Sequence, residues 1–152
     1  MNNKTKILAL WGKSNNGKSE TILKLIDLLI LNGAEVENAK ISRQNAKDKW
    51  IVLRYKDKTI GITTRGDTRE LLEEDFGNFK NCDICVCATH LYGGTVKFIE
   101  ENYCKNNIYW LRKSAFSVGT INEEKCNDLE AIYQYLNQRQ AEDMLYFLNE
   151  WF

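Results

Sequence analysis

The stretch LALWGKSNNGKSET, Leu8 to Thr21, decides how this chain is read. Gly12, Gly17, Lys18 and Ser19 satisfy the spacing G-x-x-x-x-G-K-[ST]. That spacing suits a phosphate cradle. Glycines let the backbone bend and approach a phosphate closely. Successive loop N–H groups, backed by a helix N-terminus, form a positive concavity. A lysine then reaches the outer phosphates and a hydroxyl offers a ligand to Mg²⁺. Four fixed positions recur by accident in roughly one chain of this length in 200. The flanks make accident rarer. KILALW (6–11) is apolar throughout, as a central parallel strand is, and a helix begins at Lys18. Lys13, Ser14, Asn15 and Asn16 supply residues that tolerate turns. With Gly12, Gly17, Lys18, Ser19 and Glu20 they form the expected phosphate-binding set.

The rest of the chain supplies a setting for such a loop. Its 152 residues fit one domain, 1–152, and no proline or low-complexity linker marks a boundary. Lys+Arg and Asp+Glu number 21 each, so no global field favours nucleic acid or an anionic membrane, and neither is expected as a partner. No apolar run approaches the roughly 20 residues that span a bilayer. ILALW is too short for the apolar region of a secretory signal, so a cytoplasmic protein is expected. Five cysteines, three of them in one apolar segment, suit buried thiols. Cys82 and Cys85 form a C-x-x-C, but no second pair follows at zinc spacing. In a strand, Cys85 and Cys87 share one face and Cys82 takes the other.

Apolar periodicity gives the elements. A largely buried helix runs from Lys18 to Leu31, with Gly33 as a left-handed cap. A weak strand covers 34–42. Strands over 49–56 and 58–64 turn at Lys56–Lys58 as a hairpin. A helix over 67–81 is capped by Asp67 or Thr68. A strand (82–90), a helix (94–106) and a strand (108–116) follow. Residues 123–152 read as helical with a break near Gln138–Gln140. The fold class is α/β: a three-layer sandwich with a mostly parallel central sheet, one β-hairpin and helices on both faces, its ligands at the carboxyl ends of the strands.

The loop resembles the Walker A motif of the P-loop NTPase superfamily. The close match covers residues 7–23, and the alternating layout extends it loosely over the chain. The resemblance implies a nucleoside triphosphate as ligand and Mg²⁺ as cofactor. It also implies that Lys18 acts on the β- and γ-phosphates and that Ser19 ligates the metal. The superfamily adds a carboxylate at the end of a neighbouring strand, usually directly after four apolar residues. Asp67 is the best candidate, although Thr63, Thr64, Arg65 and Gly66 intervene. The alternative for Asp67 is a helix cap. A strand Thr59–Thr64 parallel to Ile7–Trp11 would bring Asp67 to the sheet edge that carries Ser19, and Thr63 or Thr64 could offer a hydroxyl. Asp83, at the start of its strand, and Asp27, inside the first helix, are poorer candidates.

Arg65 and Arg69 flank the same turn. Either an arginine stabilises charge on a γ-phosphate there, or both serve the surface. His90, with Thr89, follows the next strand and is a candidate to orient water or a substrate hydroxyl; the alternative is a structural histidine. Ras-like GTPases also place a hairpin before their Asp strand, but they use D-x-x-G and [NT]-K-x-D. RGDTRE lacks that glycine, CATHLY stands where the guanine-reading pair belongs, and KSAF (113–116) matches the guanine loop only in two small residues. ATP is therefore expected rather than GTP. The expected activity is a Mg²⁺-dependent ATPase. The alternatives are a small-molecule or nucleotide kinase, and a non-catalytic or switch-type binding module, against which the intact Lys18–Ser19 pair argues. The terminal YFLNEWF suits a homodimer or protein-partner contact, or packing of Trp151 and Phe152 on their own sheet.

Overall fold

A computed structural model describes residues 4–14, 16–43, 45, 47–114 and 127–151, with 127–129 described by their backbone. Strand β1 (Lys6–Trp11) leads into helix α1 (Lys18–Leu31). Strands β2 (Glu35–Ile41), β3 (Lys49–Tyr55) and β4 (Lys58–Thr63) follow, then α2 (Arg69–Phe76), β5 (Ile84–Thr89) and α3 (Gly94–Asn102). A 3-10 turn (Lys105–Asn107), β6 (Ile108–Arg112) and α4 (Asn127–Asn149) complete the described elements.

The chain is α/β, with a mixed sheet of six strands in the order β2-β3-β4-β5-β1-β6. β4, β5, β1 and β6 are parallel neighbours. β2 and β3 extend the sheet antiparallel from β4. Two antiparallel pairs thus stand where the sequence suggested one hairpin. The connection over 42–48 is too short for a crossover, so β3 must fold back on β2. The β3–β4 turn places Lys56 and Asp57 at φ of 47° and 65°. Both signs match the two-residue turn whose twist suits a hairpin. At α1, Gly33 takes φ 102° just past the last turn, as a left-handed cap requires.

Alternation along β1 decides which residues each face buries. Leu8 and Leu10 join Ile22, Leu25, Ile26 and Leu29 of α1 and Ala141, Met144 and Leu148 of α4. Ile7 and Ala9 join Leu72 and Phe76 of α2, Phe98 and Ile99 of α3, and Phe79. Helices therefore cover both faces. α1 is less buried than its composition implies, since Ile30 and Leu31 are exposed at its end.

The other departures have local causes. α2 stops at Phe76 because the chain turns at Gly77 and sends Phe79 into the core. α4 continues through Gln138–Gln140 without a break. Glutamine is a good helix former, Gln138 reaches Glu142 one turn on, and Gln140 bonds inward. β5 begins only at Ile84, so strand alternation does not extend back to Cys82. Cys82, Cys85 and Cys87 therefore bury on the same side, correcting the opposite placement of Cys82. Burial pushes the Cys82 thiol up to about 11 and Cys87 to about 12. Trp151 packs back on the sheet 4.6 Å from the Tyr109 ring, whereas Phe152 lies outside the described residues. Among the described residues no helix is long and apolar enough to cross a membrane.

Candidate phosphate-binding site

The loop between β1 and α1 emerges at the carboxyl end of four parallel strands. Gly17 sits at φ 87°, and a β-carbon there would also lie 2.8 Å from Asn137 Oδ1. Both facts favour glycine, because side chains rarely adopt this conformation. The next residue starts the helix. The Lys18 ammonium curls back over the loop, donating to Gly12 O at 2.9 Å, to Lys13 O and to Asn16 Oδ1 at 3.4 Å. Lys18 is only 9% exposed, and burial pushes its pKa below the ordinary lysine range. The Asp67 carboxylate acts in the opposite sense, so it lies within electrostatic reach. Asn15 lies outside the described residues.

The Ser19 hydroxyl donates to Thr64 O at 3.1 Å, tying the start of α1 to the end of β4. From Thr64 the chain crosses over β5. Gly66 makes that crossing, for a β-carbon there would stand 2.0 Å from Ala88 O. Asp67 follows, exposed, on the same edge as Ser19. It does not cap α2. Thr68 does, its hydroxyl accepting from Leu71 N at 3.2 Å. The Thr63 and Thr64 hydroxyls are committed elsewhere. Thr63 donates to Asp75 at 2.5 Å, and Thr64 donates to Lys47 O at 2.8 Å. Asp83 accepts from Thr59 N at 2.9 Å at the opposite end of the sheet, and Asp27 is exposed on α1.

His90 bridges the two loops. Its Nε2 stands 2.9 Å from the Asp67 carbonyl oxygen and its Nδ1 3.3 Å from Ser14 Oγ. A carbonyl only accepts, so in the neutral ring Nε2 carries the hydrogen and Nδ1 accepts from Ser14. Beside it lies an open pocket of about 530 Å³ lined by Lys13, Ser14, His90, Leu91 and Tyr92. Arg65 is turned toward Asp75, which is fully buried, and also pairs with Glu74 at 3.5 Å. Asp75 raises the Arg65 pKa above its usual value, chiefly by hydrogen bonding. Arg69 bonds Glu73 at 2.6 Å and Glu101 at 2.8 Å on the surface. Glu20, in the first turn of α1, meets Lys47 at 3.6 Å.

Several groups that shape the site carried no local signal in the sequence. Asn137 is buried against Gly17 and accepts from the Thr21 hydroxyl at 3.3 Å. Gln140, also buried, accepts from Ser114 N at 2.9 Å and donates to Arg112 O at 2.7 Å. Lys113 is 4% exposed at the end of β6. The usable hint was positional: Asn137 and Gln140 continue the inward row of Ala141, Met144 and Leu148. Among the described residues no group of three or more His, Cys, Asp or Glu side chains is placed to hold a metal. No family model, curated protein or solved structure matches the chain.

Proposed function

We propose that the chain is a P-loop nucleoside triphosphate-binding protein that hydrolyses ATP with Mg²⁺. The observation that carries this reading is that Lys18 and Ser19 start α1 at the same sheet edge to which the parallel strand β4 delivers Asp67. Ser19 touches the end of β4, and the Asp67 charge reaches Lys18. The fold that would accompany this activity is the P-loop sandwich. In support, the loop follows a parallel strand and opens a helix, with β4 parallel to β1 and one strand removed from it.

The residues present fit a magnesium ion of the kind this reading needs. Mg²⁺ is usually held by one or two carboxylates together with substrate phosphates and water. Ser19 Oγ and the Asp67 carboxylate would hold it, and a three-residue protein cage is not required. When bound, Mg²⁺ supplies charge neutralisation and orientation for the outer phosphates. Lys18 exchanges neutral carbonyl partners for anionic phosphate oxygens, which adds charge–charge attraction to each bond. The N–H groups of Lys13, Ser14 and Asn16 to Glu20 would complete the cradle. His90 holds Ser14 and the Asp67 backbone in register, and Asn137 holds the turn at Gly17.

A second reading is favoured by the pocket beside His90, which Lys13 and Ser14 of the loop also line. A small acceptor seated there would make the protein a phosphotransferase. One experiment tests both. Thermal shifts are measured with ATP, GTP, CTP and UTP plus Mg²⁺, followed by phosphate release with no acceptor present. Selective stabilisation by ATP, lost in Lys18→Ala, and acceptor-free release support the ATPase. Stabilisation without release, with ADP formed only once an acceptor is added, points to the phosphotransferase; stabilisation with neither leaves a binding module. No stabilisation by any triphosphate refutes both.

A further inference from the structure

We infer that Lys113 is a second phosphate-holding lysine, placed to take the phosphates nearest the nucleoside while Lys18 takes the outer ones. The inference rests on the nucleotide-binding reading and deepens it. The strand order β4-β5-β1-β6 sets Asp67, His90, the loop and Lys113 in that sequence along one edge. A polyphosphate lying across the loop with its terminal phosphate toward Asp67 therefore directs its inner phosphates toward Lys113.

The residue is built into the site. Its N–H donates to Trp11 O at 2.8 Å, directly beside the start of the loop. A β-carbon on Gly12 would lie 3.0 Å from Lys113 Cβ, so the lysine stem crosses the loop's first residue. The neighbouring Ser114 is fixed through its N–H and hydroxyl by Gln140 at 2.9 and 3.1 Å. Lys113 is buried, and its ammonium donates to Ser114 O at 2.7 Å. The charges that act on it are Lys18, which repels it, and Glu20, which attracts it while also facing Lys47. Two buried lysines thus flank the loop, Lys18 with its ammonium on the carbonyl oxygens of Gly12 and Lys13 and Lys113 with its ammonium on that of Ser114. Like charges at low dielectric repel, and an anion beside both relieves the repulsion.

The test measures ATP and ADP affinity by calorimetry for the parent, Lys18→Ala, Lys113→Met and Lys113→Gln, with thermal stability of each without nucleotide. Lys113→Met keeps the stem and removes the charge. It should weaken ADP and ATP alike by about tenfold, and its nucleotide-free form should melt no lower than the parent. Lys18→Ala should weaken ATP more than ADP. If the parent binds and Lys18→Ala does not, yet both Lys113 variants bind ADP like the parent, this inference alone falls. Failure of both Lys113 variants to fold marks a structural lysine and also overturns it. A parent that binds neither nucleotide removes the underlying reading and this inference together.

Discussion

Gly66→Ala is expected to destabilise the protein by about 3–4 kcal/mol, and the cause is close approach rather than backbone conformation. Gly66 is not among the left-handed glycines. A β-carbon there would stand 2.0 Å from Ala88 O and 2.7 Å from its carbonyl carbon. Ordinary contact lies at 3.4–4 Å, so more than 1 Å of relief is needed, and the atoms the new β-carbon meets are main chain. Overpacking costs about 1–3 kcal/mol, and the rigid Ala88 carbonyl, which cannot step aside as a side chain would, puts this site near the upper end. Here the shift also loosens the His90–Asp67 hydrogen bond, which adds about 1 kcal/mol. Gly33→Ala is the control. Its φ is 102° and nothing lies within 4 Å of an added β-carbon, so only strain of about 1–2 kcal/mol remains. Urea unfolding followed by tryptophan fluorescence measures both variants. For a chain of this size the Gly66→Ala melting temperature should fall by roughly 6–16 °C. A Gly66→Ala protein within about 0.5 kcal/mol of the parent, or more stable than Gly33→Ala, refutes the reasoning.

Asp67→Asn should leave stability unchanged, because Thr68 and not Asp67 caps α2, while Mg²⁺-dependent ATP binding or turnover falls tenfold or more, about 1.4 kcal/mol. An unchanged Mg²⁺ titration would remove Asp67 from the metal site. Alkaline pH should unfold the protein early. Burial raises Cys82 to about 11 and Cys87 to about 12 from 9.0, and it raises Cys85 and Tyr103 as well. A raised native pKa gives stability that is complete below the unfolded value and lost as pH climbs through the native one. The lowered Lys18 and Lys113 act in the opposite sense, with fewer groups. Urea midpoints should therefore fall between pH 9 and about 11, and Cys87→Ala should flatten the decline; a midpoint constant to pH 11 contradicts this. Metal analysis of purified protein should find no stoichiometric zinc, since these thiols resist ionisation and zinc binds thiolate; one zinc per chain would overturn that.

What the sequence made legible was whatever rests on neighbouring residues. The run KILALW, the glycines of the loop and the apolar face of α1 each combine a local pattern with a local cause, and β1 and α1 lie where those patterns put them. Hairpin strands were readable for the same reason, although the pairing of β2 with β3 was not, because an exposed edge strand has little apolar alternation. The supports of the site were hidden by distance. Asn137 meets Thr21 across 116 residues, and Gln140 meets Arg112 across 28. A polar residue on a helix is ordinary until its partner is known. Asp75 shows the same limit. Nothing in ELLEEDF marks the one carboxylate that turns inward to Arg65. Cys82 misled because alternation was carried two residues beyond the true start of β5.

Helix α4 touches the Gly17 turn and Thr21 through Asn137, the end of β6 through Gln140, and the end of β3 through Asn149, which accepts from the Tyr55 hydroxyl at 2.8 Å. A ribosome makes the loop more than a hundred residues before it makes this helix. Until α4 has left the exit tunnel, the Gly17 turn lacks its brace, the strand bearing Lys113 has an unanchored end, and the outer face of α1 is bare. A nascent chain that lacks α4 therefore carries the Gly17 turn without the side chain that packs against it. The face of α1 that packs against Ala141, Met144 and Leu148 stays open to water until then, so this half of the core forms only after the last helix is made.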